Sequence, residues 1–436
     1  MGRTRTQIVP LYQRLPHGPN GLGRDEVARN QRARIYGAMI ESVAERGYHA
    51  TAVADVIALA GVSRRAFYEQ FANKQECFVA THDIAVARAR KSALEGWRRE
   101  RGWANRVHSA WSATLCHAAY TPKGLRLVFV DSLGTGGRGV YGRLTAAHGA
   151  FERIVASGLD LADDGRISPP LTARAVVGGA RHLAFTRMLD GRERELAAMT
   201  DVVLDWIDAY RLPRGGRLPP LTAAPATSPV PAARAHFLAA GEERARALVA
   251  LVHLTLAEGY PPLSDAQIAE LAGLRLDVFH RHFACKEAAF LAVLEDFAGE
   301  SGRVVQAAVD GSGSWPQAVR RAMSTLVAHF AAHEALLRIA FVALCEIGPA
   351  ITRRLTRPIE AVVNVLVADA PRARHGGQIA REAITGALWA IVAAAAARGR
   401  LARVPALADH LSFVALAPYL GPRGALAEIA GAHDRG

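Results

Sequence analysis

The sequence predicts an all-α protein made of two similar modules in series, and three observations carry that reading. Apolar residues recur at helical spacing along most of the chain, as in Ile35, Met39, Ile40, Val43 and Ala44. Alternating runs bounded by turn residues, the mark of half-buried strands, are nearly absent. A constellation near the N-terminus returns in weaker form 212 positions later. The first copy contains Arg46-Gly47-Tyr48, Ala60-Gly61-Val62-Ser63-Arg64-Arg65-Ala66-Phe67-Tyr68 and Phe71-Ala72-Asn73-Lys74. The second contains Glu258-Gly259-Tyr260, Ala272-Gly273-Leu274, Phe279 and Phe283-Ala284-Cys285-Lys286.

Bulk properties bound the partners. The chain has 436 residues, half of them hydrophobic, enough for two or three domains each with a core. A formal net charge of +13 favours a polyanionic partner. Cys77, Cys116, Cys285 and Cys345 form no CxxC pair, which argues against a disulfide framework or zinc knuckle and fits a reducing cytoplasm. Arg3 and Arg5 precede no apolar run, so no secretory signal is read there. The longest apolar run, Gly386 to Ala397, reads as too short to cross a bilayer. The expected setting is therefore the cytoplasm, in association with the nucleoid, with no membrane partner.

In chain order, residues 1–23 read as a disordered basic arm. Seven arginines between Arg3 and Arg34 face only Asp25 and Glu26. Residues 24–75 read as a helix-turn-helix domain of three helices, and 76–211 as a helical domain. Pro213, Pro219, Pro220, Pro225, Pro229 and Pro231 with Gly215-Gly216 mark 212–236 as an extended, semi-rigid linker. Residues 237–287 read as a degenerate helix-turn-helix domain and 288–436 as a second helical domain.

The first helix-turn-helix is read residue by residue. Thr51 is the expected N-cap of a helix from Val53 to Ala60, and Gly61 supplies the left-handed residue that stops it. Ser63 caps the next helix, with Val62 and Phe67 at hydrophobic-staple spacing. Phe67 and Phe71, four apart, face inward, which turns Arg64, Arg65 and Tyr68 outward. Two arginines and a tyrosine on a short exposed helix suit a major groove, where Arg reads guanine O6 and N7 and Tyr reaches a phosphate. Lys74 opens the following helix, where its ammonium and nearby backbone N–H groups are expected to hold a phosphate.

These residues resemble the TetR/AcrR family of bacterial transcriptional regulators. The matching stretch runs through Arg29-Asn30-Gln31-Arg32, Ala44-Glu45-Arg46-Gly47-Tyr48, Ala60-Gly61-Val62-Ser63-Arg64-Arg65 and Phe67-Tyr68-Glu69-Gln70-Phe71-Ala72-Asn73-Lys74. The resemblance implies contacts to double-stranded operator DNA from Thr51, Ser63, Arg64, Arg65, Tyr68 and Lys74. It also implies that the remaining helices bind a small-molecule effector and dimerise through the last two as a four-helix bundle. The matching segments are Ala173 to Leu189 with Leu196 to Tyr210, and Ile379 to Arg398 with Ala406 to Tyr419. Gly178-Gly179 and Gly386 either permit close helix approach there or are ordinary packing glycines. Either the halves fold back as an intramolecular pseudo-dimer, or the first halves form a homodimer. A linker of about 22 residues has a reach near ~25 Å, which allows the former.

The second copy keeps the scaffold and changes the outward face. Ser264-Asp265-Ala266-Gln267 retains a capping box, and Leu274, Phe279 and Phe283 retain the staple and the inward pair. Ser63, Arg64 and Arg65 are replaced by Arg275, Leu276 and Asp277. A carboxylate and an exposed leucine stand where phosphates would lie, so this copy is expected to fold but to bind DNA poorly. His280, Arg281 and His282 leave only weak non-specific contact.

Rival chemistry is thin. Gly134-Thr135-Gly136-Gly137-Arg138-Gly139 matches GxGxxG but lacks the surrounding βαβ pattern and the distal acidic residue, so no dinucleotide cofactor is expected. His329 and His333 have zinc-compatible spacing on a helix, but the HExxH arrangement is missing, and they read as a surface or half-buried pair. Gly311-Ser312-Gly313-Ser314 is a turn, not a nucleophile elbow. No catalytic residue and no metal ligand is assigned. The effector pocket is sought among Trp111, His117, Phe129, Tyr141, Phe151, His182, Phe185 and Met188, whose character suits an apolar or aromatic molecule. In the second half Met323, Phe330, Phe341 and Trp389 are the counterparts. The expectation is a small-molecule-responsive repressor. The alternative is a helical binding or catalytic protein that uses the scaffold without DNA.

Overall fold

The computed structural model describes residues 23–132, 149–156, 170–211, 218, 242–260, 262–340, 349–397 and 404–433. The arm, the GxGxxG loop, Tyr141, Phe341, Cys345 and nearly all of the linker lie outside them. Among the described residues every regular element is helical.

The first stretch comprises α1 (Arg24–Ala50), α2 (Val53–Ala60), α3 (Arg64–Tyr68), α4 (Lys74–Arg99), α5 (Trp103–Tyr120) and α6 (Pro122–Arg126). A π-helical segment, Leu127–Asp131, continues α6. Then come α7 (149–156), α8 (Pro170–Leu189), α9 (Glu195–Ala198) and α10 (Thr200–Asp208). The second stretch comprises α11 (Glu242–Glu258), α12 (Asp265–Leu271), α13 (Leu276–His282), α14 (Lys286–Asp310), α15 (Trp315–Ala332), α16 (Glu334–Arg338) and α17 (Pro349–Val367). It ends with α18 (Ala380–Ala397) and α19 (Ala408–His433), the latter broken at Gly421 (φ 74°), directly before Pro422.

Local chemistry sets the turns. Gly61 (φ 60°, ψ 41°) ends α2 with a paired motif, its N–H on Ala58 O and that of Val62 on Ile57 O. Gly273 (φ 63°) ends α12 in the same way, with N–H groups of Gly273 and Leu274 on the carbonyls of Glu270 and Ala269. The contacts around both turns recur at the 212-residue offset. Phe67 and Phe71 have ring centroids 5.7 Å apart, Phe279 and Phe283 5.6 Å. Tyr48–Phe78 and Tyr260–Phe290 are both edge-to-face at 4.8 Å. The Lys74 ammonium covers the Tyr48 ring at 4.4 Å, and that of Lys286 covers Tyr260 at 4.9 Å. Arg32 sits over Phe71 at 5.8 Å and Arg244 over Phe283 at 5.5 Å.

The two stretches meet along α8 and α18, which pack closely through small residues. A Cβ added at Gly178 would fall 2.3 Å from Ala390 Cβ, and one at Gly386 2.2 Å from His182 Cβ. One at Gly179 would fall 2.3 Å from Trp206 Cη2. These positions must be glycine for the axes to come this near. Beside the seam, Trp206, Tyr210 and Phe413 are fully buried, and Trp206 meets Tyr210 edge-on at 5.1 Å. Burial of each large side chain contributes roughly 1.5–3 kcal/mol. The Tyr210 hydroxyl donates to Val414 O at 3.1 Å, and burial holds its pKa well above the ordinary phenol value. Polar contacts close the rim. Asp205 accepts from Gly376 N–H at 2.8 Å and meets His375 at 3.0 Å, while Arg187 and Thr186 both bond Glu382. Gly377–Ala396 is long and apolar enough to cross a membrane by length and composition alone. It is instead an inner helix of the seam, with Ala383, Ile384, Ala387 and Ile391 buried.

Candidate nucleic-acid interface and core cavity

Sequence makes α3 two-faced, and the fold fixes which face is wet. Ser63 Oγ accepts the Ala66 N–H at 3.1 Å and starts the helix. Ala66 and Phe67 are buried, and Phe67 shares a core with Ile35 and Met39 of α1, Val56 of α2, Cys77 and Phe78 of α4, and Phe71. The opposite face carries Arg64, Arg65 and Tyr68. Tyr68 is 45% exposed and the Arg65 side chain 88%. Arg64 lies over the Tyr68 ring at 5.7 Å, and Arg65 pairs with Glu69 at 2.8 Å. An exposed pair of that kind contributes at most about 1 kcal/mol, so Arg65 is readily released to a stronger anion.

Two expected DNA contacts are corrected by the geometry. Thr51 is buried at 1% exposure, and its hydroxyl donates to Gly47 O at 2.8 Å, closing the end of α1. It is not the cap of α2. That role falls to Ala52 and Asp55, whose carboxylate accepts the Ala52 N–H at 2.9 Å and pairs with Arg46 at 2.8 Å. The backbone bond, then Arg46, holds the Asp55 carboxyl below its ordinary pKa. The Lys74 ammonium also turns inward. It donates to the carbonyls of Tyr48 (3.0 Å), His49 (3.3 Å) and Thr51 (2.9 Å). Those carbonyls belong to the α1 terminus, which Gly47 (φ 78°) bends back toward α4. The spacing of Lys74 from Ser63 gave no hint of this, because the partners lie 23 to 26 residues upstream.

The corresponding stretch 212 positions later presents a different face. Leu276 is 43% exposed, and Asp277 pairs with its neighbour Arg275 at 2.9 Å. His280 and His282 rest on Asp265 (3.0 Å) and Glu243 (3.2 Å). Ser264 and Gln267 form the expected reciprocal cap, with bonds of 3.3 and 2.9 Å.

Within the first stretch, helices α4, α5, α7 and α8 enclose a cavity of ≈ 130 Å³. Trp111, Phe129 and Phe151 line it, together with Trp97, Ala180 and Arg181, which sequence reasoning did not single out. The remaining pocket candidates lie elsewhere. Phe185 and Met188 pack with Leu115 and Val130 in an adjoining cluster. His182 faces the seam, 3.8 Å from Glu360, and His117 is absent from the lining; burial, then Arg88, lowers its pKa. Helical period alone told inward from outward, but not which of two inner neighbours each side chain meets. Three of the second-half counterparts, Met323, Phe330 and Trp389, line a similar cavity of ≈ 110 Å³.

The π-helical segment runs between the cavity and the core of the helix-turn-helix domain. Leu127 belongs to the core beneath α3, whereas Val128 and Phe129 line the cavity. Asp131 at its end is buried, 3.6 Å from Arg126. Desolvation pushes its carboxyl up to about 6, while Arg126 pulls it down.

A basic, solvent-facing helix held by a glycine turn on an aromatic core defines a helix-turn-helix DNA-binding transcriptional regulator. Residues 35–81 match the family model described as bacterial regulatory proteins, tetR family. The helix-turn-helix module is therefore similar to that of this family, over residues 35–81 of the chain. Solved structures similar to it include the fatty acid degradation regulator FadR from Bacillus halodurans (13% identity, 40% of this chain and 96% of that one, TM-score 0.37). FadR from Bacillus subtilis in complex with stearoyl-CoA gives 16% identity with the same coverage and TM-score. A TetR family regulator from Marinobacter aquaeolei VT8 gives 17% identity over 40% of this chain and 94% of that one, at a TM-score of 0.33. No curated protein matches the chain.

Proposed function

We propose that the chain is a cytoplasmic repressor that reads operator DNA with α3 and releases it when an apolar small molecule fills the first cavity. The observation that carries this is the exposed set Arg64, Arg65 and Tyr68 on a helix whose other face is sealed into the core. Ser63 starts that helix with its backbone at the same surface. The basic N-terminal arm adds phosphate or minor-groove contact. Thr51 and Lys74 support the reader from within.

The cavity walls favour an apolar or aromatic effector. A ligand that displaces Phe129 or Val128 strains the segment whose Leu127 sits under the reader, and so favours a second placement of α1–α4.

The modules repeat in tandem and fold back as a pseudo-dimer, with α8 and α10 of the first half against α18 and α19 of the second. The recurring contacts at the 212-residue offset and the glycine seam support this reading. One chain then carries one competent reader, and a palindromic operator recruits two chains.

A salt-dependent gel shift on the protein's own promoter region tests the reading. Specific binding is expected for wild type and lost in the Arg64→Ala, Arg65→Ala double variant; equal binding by the two overturns it. Light scattering at micromolar protein should give the mass of one chain. A stable two-chain mass without DNA supports the homodimer instead.

A further inference from the structure

A cluster of metal-ligating side chains lies in the second half. Glu300 on α14 meets His329 on α15 and His333 at its C-cap, with one ligand atom from each within 4.8 Å of the other two. The histidines are four residues apart, so one helix face carries both, with ring centroids 4.5 Å apart. Phe297, one turn before Glu300, stacks on His329 at 5.4 Å and touches His333 at 6.3 Å. His333 Nδ1 lies 3.0 Å from the His329 carbonyl. A carbonyl only accepts, so Nδ1 carries the proton and the lone pair is left on Nε2. A ring nitrogen held this way by a backbone carbonyl is a common device for orienting a metal-bound imidazole.

We propose that Glu300, His329 and His333 bind a divalent transition metal of the zinc class. Two imidazoles and one carboxylate suit zinc, cobalt or nickel, whereas calcium and magnesium call for oxygen ligands alone. At metal–ligand distances of about 2.0–2.1 Å, tetrahedral ligand atoms stand roughly 3.3 Å apart. Each side chain closes in by about an ångström, a shift within rotamer adjustment. Three protein ligands leave a fourth position open. Phe297, which touches both imidazoles, also lines the ≈ 110 Å³ second-half cavity, so the open position adjoins a space for a ligand with a donor group. The neighbouring residue Ser301 lines it too.

The test uses the full chain, stripped by chelator and titrated with Co²⁺ or Zn²⁺ alone. One Co²⁺ per chain is expected, with visible d–d bands of a four- or five-coordinate site that Zn²⁺ abolishes. Glu300→Gln and His333→Gln should each weaken uptake at least ~tenfold, the least that losing even an outer-shell partner costs. The surface double variant His280→Ala, His282→Ala should bind as wild type does. Zn²⁺ should raise the melting temperature of wild type and not that of the Glu300→Gln variant. Absence of stoichiometric uptake by wild type overturns the site, as does uptake unchanged in both Gln variants or lost in the surface variant. Should a His329 variant fail to fold, the other two variants and the wild-type spectrum still decide.

Discussion

Gly178 and Gly386 face each other so closely that a Cβ on either would meet the other's carbonyl oxygen, at 2.8 and 2.6 Å respectively. Neither obstacle is the movable end of a side chain, so the helices themselves must part. Gly178→Ala and Gly386→Ala are each expected to destabilise by about 1–3 kcal/mol, the usual cost of overpacking. On α14, a Cβ added at Gly299 would meet nothing within 4 Å, and Gly299→Ala should instead gain up to ~1 kcal/mol from helix propensity. Urea denaturation of the three variants measures both signs.

Arg64→Ala and Arg65→Ala should each weaken operator binding by about 1–3 kcal/mol if the guanidinium reads a base, and should relax preference at that base pair. Asp277→Arg on α13 should change operator affinity little, since Leu276 and its neighbours leave that face without a base-reading set. Fluorescence anisotropy against a panel of single-base operator variants, at fixed salt, separates the cases.

Lys74→Met should remove the donor shared by three carbonyls at the end of α1 and destabilise the module by roughly 1–3 kcal/mol. The salt dependence of DNA binding should keep its slope under conditions where the variant is folded. A slope lower by about one, with stability unchanged, would return Lys74 to the role of a phosphate contact.

The Asp131 carboxyl, pushed up to about 6 in the folded chain, ionises near 3.9 when unfolded. Between those values the folded chain holds a proton that the unfolded chain has released. Its contribution to stability is therefore greatest below about pH 4, declines as pH rises to about 6, and stays at the lower level beyond. Asp131→Asn should flatten that decline and raise stability at neutral pH by on the order of 2 kcal/mol. Melting temperatures of both proteins from pH 4 to 7 provide the check.

Ala180 lies in the wall of the first cavity. Ala180→Phe should fill the space and abolish release of DNA by an apolar effector while leaving operator binding intact. A screen of alkyl and aromatic acids against the preformed DNA complex reads both properties.

Much of the chain is legible in its residues alone, because the signals are local. Helical period in Ile35, Met39, Ile40 and Val43 marks a buried stripe, and all four are buried. Gly61 and Ser63 mark a turn whose partners lie within five residues, so spacing alone specifies it. What depends on distant partners is not legible. Lys74 and Thr51 read as surface residues until the Gly47 bend brings the end of α1 against α4. His182 reads as a pocket residue until α18 comes to lie against α8. Glu300 could not be joined to His329 and His333, since nothing in a sequence separation of 29 or 33 residues says which faces of two helices meet. Short-range hydrogen bonding and apolar periodicity determined the helices and the outward basic set; only the packing of one helix on another decided which inner side chains meet, because that choice rests on close contacts between residues far apart in the chain.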